Sequence, residues 1–138
     1  MGVWAGTRGK LRLIAREGDA APGTEKGVTF ASFVSMPQIN AQGQVSVLAR
    51  LTGKGVNSAT DMGIWATTRK GELVLIARKG SKLQVGKLDA RTVTALSLIP
   101  TAAGSEDGRS NCMTGSGEVV FHATFADGSQ GIFLAKVS

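Results

Sequence analysis

Between Gln44 and Leu51 the chain alternates, with Val45, Val47, Ala49 and Leu51 on one side of an extended backbone and Ser46, Leu48 and Arg50 on the other. A period of two is that of a β-strand. Glu118 to Phe125 alternates in the same way. Two further runs, Leu11-Arg12-Leu13-Ile14-Ala15-Arg16 and Leu73-Val74-Leu75-Ile76-Ala77-Arg78, are apolar on both sides of the pleat. That is expected of a strand sandwiched between neighbouring sheets rather than facing water. Residues 28–35 and 92–99 are rich in β-branched and aromatic types, and Gly-Val-Trp-Ala and Gly-Ile-Trp-Ala add two short strands. Glycine punctuates the turns, as at Arg69-Lys70-Gly71 and Asp127-Gly128, where the backbone needs positive φ. No stretch carries a sustained helical period with a cap. The pattern predicts an all-β protein of eight or nine strands.

The strands come in sets. Gly2-Val3-Trp4-Ala5 matches Gly63-Ile64-Trp65-Ala66, and the two Leu-x-Leu-Ile-Ala-Arg runs match each other. Phe30-Ala31-Ser32-Phe33 corresponds more loosely to Val93-Thr94-Ala95-Leu96, and Gly43-Gln44-Val45 corresponds to Gly117-Glu118-Val119. A third copy opens at Gly131-Ile132-Phe133 and stops after one strand. Residues 1–138 therefore read as one domain, with repeat one at 2–62, repeat two at 63–130 and a partial third at 131–138. A long period of this kind means stacked or radial units. Four antiparallel strands per unit describe the blades of a β-propeller. The expected architecture is two four-stranded antiparallel propeller-type blades plus one extra strand. Trp4 and Trp65, at equivalent places, are expected to pack between blades.

Two blades cannot close a ring, because their apolar flanks would stay exposed. Completion of the ring by homo-oligomerisation follows, with a trimer of six blades favoured. In this grammar Gly-Ile-Trp follows the fourth strand of the preceding unit, so the chain is expected to start inside a unit, as a fragment of a longer repeat protein would.

Three segments, Arg16-Glu17-Gly18-Asp19-Ala20-Ala21-Pro22-Gly23-Thr24, Ile39-Asn40-Ala41-Gln42-Gly43-Gln44-Val45 and Gly63-Ile64-Trp65, together resemble the bacterial tandem-repeat proteins with an N-x-x-G-x-V-A-F signature. The resemblance implies a propeller-like fold and an exported or surface-anchored protein, and it transfers no catalytic residues. The second copy departs from the pattern. Glu17-Gly18-Asp19 becomes Lys79-Gly80-Ser81, and Asn40 aligns with Thr114. The opening MGVWAGTRGK has no signal-peptide pattern, so the chain as it stands is expected in the cytoplasm.

Composition narrows the partners. A hydrophobic content of 42% with a mean hydropathy of +0.07 excludes a disordered tail. No apolar run approaches the ~20 residues of a membrane helix. The net charge of +6 permits binding to polyanions. The Lys and Arg are scattered, however, so nucleic acid is not an expected partner. One cysteine fits a reducing compartment.

Candidate chemistry gathers in copy two. A long insertion between its third and fourth strands carries Glu106, Asp107, Arg109, Asn111 and Cys112. Insertions in one repeat map to loops on one face, often the binding face. His122, the sole histidine, lies on the following strand, where copy one has Leu48. An imidazole titrates near neutrality without perturbation, while the apolar counterpart favours a packing role. If the protein is an enzyme, His122, Glu106 and Asp107 are the candidate catalytic groups. Arg109 and Asn111 are then the ligand holders, and Cys112 and His122 the ligands of a divalent metal such as zinc. Three functions remain in play. The first is an oligomeric propeller-type binding or structural module for an unknown small ligand. The others are a metal-assisted hydrolase of esters or phosphoesters around the ring axis, and a weak polyanion binder.

Overall fold

The structure is a computed structural model, and it describes residues 1–34, 36–99 and 113–137. Every regular element among them is a strand: β1 (Gly2–Thr7), β2 (Lys10–Arg16), β3 (Val28–Phe33), β4 (Gln38–Ile39), β5 (Val45–Gly53), β6 (Met62–Thr67), β7 (Leu73–Arg78), β8 (Lys82–Gly86), β9 (Asp89–Leu98), β10 (Glu118–Phe125) and β11 (Gln130–Lys136). The protein is all-β and antiparallel throughout. β1 and β2 form a two-stranded hairpin, and β3-β5-β6-β7 form the path of a five-stranded sheet in which β4 also pairs with β5. β11-β10-β9-β8 form a four-stranded sheet. Each larger sheet takes strands from both sides of a copy boundary: β6 and β7 of copy two complete the sheet begun by β3 and β5 of copy one.

Matching residues make matching bonds. The Gly18 N–H donates to the Phe30 carbonyl at 2.8 Å, and the Gly80 N–H donates to the Val93 carbonyl at 2.8 Å. Phe30 N–H returns a bond to Asp19 O, as Val93 N–H does to Ser81 O. β1–β2 and β6–β7 both slip register just before their tryptophan, so that Trp4 faces Leu13 and Trp65 faces Leu75. A bulge at that point re-aims the side chains that follow, and it does so identically in both hairpins.

The sheets lie in layers. Val3, Ala5 and Ala15 on the inner face of the hairpin join Phe30, Val45, Val47, Ala49, Leu51 and Trp65 in one apolar cluster, with Leu73 and Leu75 packed against it. The opposite face of the five-stranded sheet (Leu48, Ile64, Ala66 and Ala77) joins Val93, Leu96, Leu98, Val119, Phe121, Ala123 and Phe125 of the four-stranded sheet, with Phe133 packed against them. The alternation of β5 is therefore real but buried on both sides: Val45, Val47, Ala49 and Leu51 enter one cluster and Leu48 the other.

Trp65 is fully buried, its ring edge-on to Phe30 at 4.9 Å and its Nε1–H donating to the Pro22 carbonyl at 2.9 Å. Trp4 departs from expectation. It is 55% exposed, and Leu11 and Leu13 on the same outer face are 67% and 42% exposed. The hairpin is the outermost layer, so only its inner face meets another sheet. β8 and the two-residue β4 add to the predicted strands. Both are short, β4 two residues and β8 five, so each offers too few positions to establish a period.

Trp65→Ala should therefore cost about 3–5 kcal/mol of stability, the range for truncating a buried aromatic. Trp4→Ala in dilute protein should cost about 0.5 kcal/mol, as an outer-surface change does. Urea unfolding compares the two, and equal losses would contradict the layering.

Candidate functional site

His122 is the one sequence-derived candidate that the structure places. Glu106, Asp107, Arg109, Asn111 and Cys112 lie outside the described residues. On β10, Phe121 and Ala123 face the core, so His122 between them faces outward. It pairs with Ile132 of β11 and Ser97 of β9. Its Nε2 lies 2.8 Å from the Gln130 Oε1. A neutral amide thus fixes the ring's orientation. Among the described residues no three of His, Cys, Asp and Glu come together as a metal site. In copy one the same strand position belongs to Leu48, which is buried between the two larger sheets.

The signature asparagine has a structural task. Asn40 is buried, and its Oδ1 accepts from the Gln42 N–H at 3.0 Å and the Gln44 N–H at 2.9 Å. Its Nδ2 donates to Gln44 Oε1 and to the Thr114 carbonyl, each at 2.9 Å. Gln44 continues to the Thr67 carbonyl at 3.1 Å. These bonds tie the ends of the two larger sheets together and satisfy polar groups that would be costly to bury alone. Thr114 forms the same turn as Asn40, since its N–H donates to the Glu118 carbonyl as the Asn40 N–H does to Gln44 O. Its Oγ1 accepts from the Glu118 N–H at 3.1 Å, replacing the amide oxygen. The substitution of Asn by Thr keeps the turn.

An apolar groove of about 550 Å³ runs beside β1, between Val3, Trp4 and Ala5 and the segment from Phe33 through Met36, Pro37 and Ile39. It lies along the edge of β1 that has no strand partner, since β1 pairs only with β2. In the matching position β6 is paired with β5. A second, more polar cleft is lined by Lys10, Arg12 and residues 41–43.

Three carboxylates are held below their ordinary range. A hydrogen bond from Arg78 does this to Glu25, at 2.7 Å. Arg91 does it to Asp89 through a 2.6 Å contact, and Ser129 does it to Asp127 through its hydroxyl and its N–H. Hydrogen bonding to Asp89 raises Arg91 in turn. All three acids lie at turns on the surface, so they secure loops; none faces the groove.

These features define a layered all-β protein with an apolar groove at an open strand edge. No helix among the described residues is long and apolar enough to cross a membrane. The chain belongs to a family of unknown function (DUF7453), whose model matches residues 1–138. No curated protein and no solved structure matches it.

Asn40→Ala removes the partner of the buried Gln44 N–H and of the Gln42 N–H, together with the donor to Gln44 Oε1 and to the Thr114 carbonyl, and should cost at least about 2 kcal/mol. Asn40→Thr should recover roughly half of that, by the Thr114 geometry; equal losses in calorimetry would contradict the shared turn. The depressed carboxylates favour the folded state above their unfolded values, and that contribution is lost as pH falls through the lowered folded values. Arg91→Met removes the main cause of the depression at Asp89. Its Tm should therefore fall less steeply than that of the wild type as pH drops through the carboxylate range, a difference that high salt erases.

Proposed function

We propose that the protein is a binding and scaffolding module of the propeller type, assembled from repeat-related sheets, and not a hydrolase. What supports this most is that its layers pack through the same positions twice. Val3 and Ala5 share a cluster with Trp65, and Ile64 and Ala66 share one with Phe133, the residues that correspond in the three copies. The sequence spends its apolar residues on this stacking. The likeness to N-x-x-G-x-V-A-F tandem-repeat proteins agrees with it, because Asn40 and Gly43 serve the turn and not a reaction.

The placement of His122 supports the same reading. It faces outward on β10, at the position that Leu48 occupies on β5, and is bonded to a neutral amide. The ligand region of such a module is the apolar groove beside β1, which suits an aliphatic or aromatic group more than a phosphate.

Purified protein loaded with zinc, manganese or magnesium should hydrolyse generic esters and phosphoesters no faster than buffer with the same metal. His122→Ala should change nothing. Metal-dependent turnover that falls by about 100-fold in His122→Ala would instead make the imidazole a general base and end the scaffold reading.

A further inference from the structure

The two ends of the layered stack carry apolar faces that correspond to its buried interfaces. At one end, the outer face of the β1–β2 hairpin presents Trp4, Leu11 and Leu13, all exposed. Their counterparts in copy two, Trp65, Leu73 and Leu75, lie against the cluster that holds Val3, Ala5 and Ala15 of the hairpin. At the other end, the outer face of the four-stranded sheet presents Ile132 and Leu134 of β11, 62% and 61% exposed. They are paired across the strand with His122 and Val120. By the same correspondence Ile132 and Leu134 match Ile64 and Ala66, which are fully buried against the layer that holds Phe133.

Each internal interface thus sets an aliphatic pair (Val3 with Ala5, or Ile64 with Ala66) against the layer carrying an aromatic residue (Trp65 or Phe133). One aromatic of the series, Trp4, has no aliphatic pair over it, and one aliphatic pair, Ile132 with Leu134, has no aromatic layer over it. We propose that the missing cover for each is the other, on a second copy of this chain: the Ile132–Leu134 face of one copy docks on the Trp4–Leu11–Leu13 face of the next. The proposal rests on the reading of the sheets as repeat-related layers.

The contact is head-to-tail, so it uses two different surfaces of each chain. Such contacts close into a ring where the rotation permits and otherwise run on as a filament. His122 falls on the docking face at the position where Leu48 is buried in copy one. Burying two aliphatic side chains and one indole removes area of the kind that drives stable association. Glutamate in either face would be buried without a partner, which should weaken the contact by at least about 100-fold.

The experiment is sedimentation velocity on full-length wild type, Trp4→Glu, Leu134→Glu and an equal mixture of the two variants. Wild type should grow in mass with concentration across the micromolar range. Each variant alone should stay monomeric, and circular dichroism should match wild type. The mixture should give a dimer of one chain of each, because Trp4→Glu keeps a sound tail and Leu134→Glu a sound head. Trp4 fluorescence should shift to the blue only where its face is covered, since Trp65 is buried already. Leu11→Glu and Ile132→Glu replace either variant that fails to fold.

A wild type that stays monomeric throughout overturns the proposal. So does a Leu134→Glu protein that still dimerises alone, which would mean that two Trp4 faces meet each other. A mixture with no dimer overturns it as well. None of these masses depends on turnover, so failure of the docking and failure of the non-enzymatic reading are told apart.

Discussion

Covering the aromatic that follows the bulge in the Gly-x-aromatic strand is the constraint on which the rest of the structure depends. Trp65 cannot be buried by its own sheet, because its neighbours on that sheet lie beside it and not over it. A second layer has to supply the small apolar side chains that close over the ring. Val3, Ala5 and Ala15 belong to the layer that does so, and Pro22 in the connection between the layers satisfies the indole N–H. The loop from Glu17 to Gly27 therefore does more than join two elements: its carbonyl makes a fully buried Trp affordable. Ala5 and Ala66 occupy the equivalent place in the two internal interfaces, and both are buried.

That constraint explains why the sheets are out of phase with the sequence copies. A sheet made wholly of one copy would place the Trp strand and the Val-x-Val-x-Ala strand from the same unit side by side. In the structure the Val-x-Val-x-Ala strand β5 pairs with the Trp strand β6 that follows it in the chain, through the connection at 54–61. The link between layers is then the segment from Arg16 to Val28, and its hydrogen bonds are those repeated from Arg78 to Val93. The Asn40–Gln44–Thr114–Thr67 network adds a polar tie at the end of the sheets.

The strands, their antiparallel class and the buried alternation of β5 were legible in the sequence because period-two patterning and glycine turns act locally. The exposure of Trp4, Leu11 and Leu13 was not. These residues have the same types as Trp65, Leu73 and Leu75, and residue type records what a position is suited to bury against, not whether a partner is present. β8 was missed because Lys82-Leu83-Gln84-Val85-Gly86, although it alternates, is only five residues long and has just two large apolar side chains. Of the candidate site residues only His122 falls among the described ones, and there its alignment with Leu48 carried more information than its titratable ring. Asn40 read as a family mark. Its work as a four-bonded buried staple depends on Thr114, a residue far along the chain, and no local pattern reports that contact.

Position 48/122 shows how one strand site can serve two environments. In β5 it lies between two sheets, and a leucine is the only economical occupant. In β10 it lies on an outer face beside Ile132, where a histidine can keep its polar edge on Gln130 while its ring covers apolar neighbours. One nitrogen of the imidazole is bonded within the sheet, and the second would need a partner of its own under any covering layer. A charged residue at that position would forbid a covering layer, and a leucine would enlarge an exposed apolar face that already carries Ile132 and Leu134. The side chain that looked most like a catalyst sits on the outer face of β10, its ring held by a neutral amide.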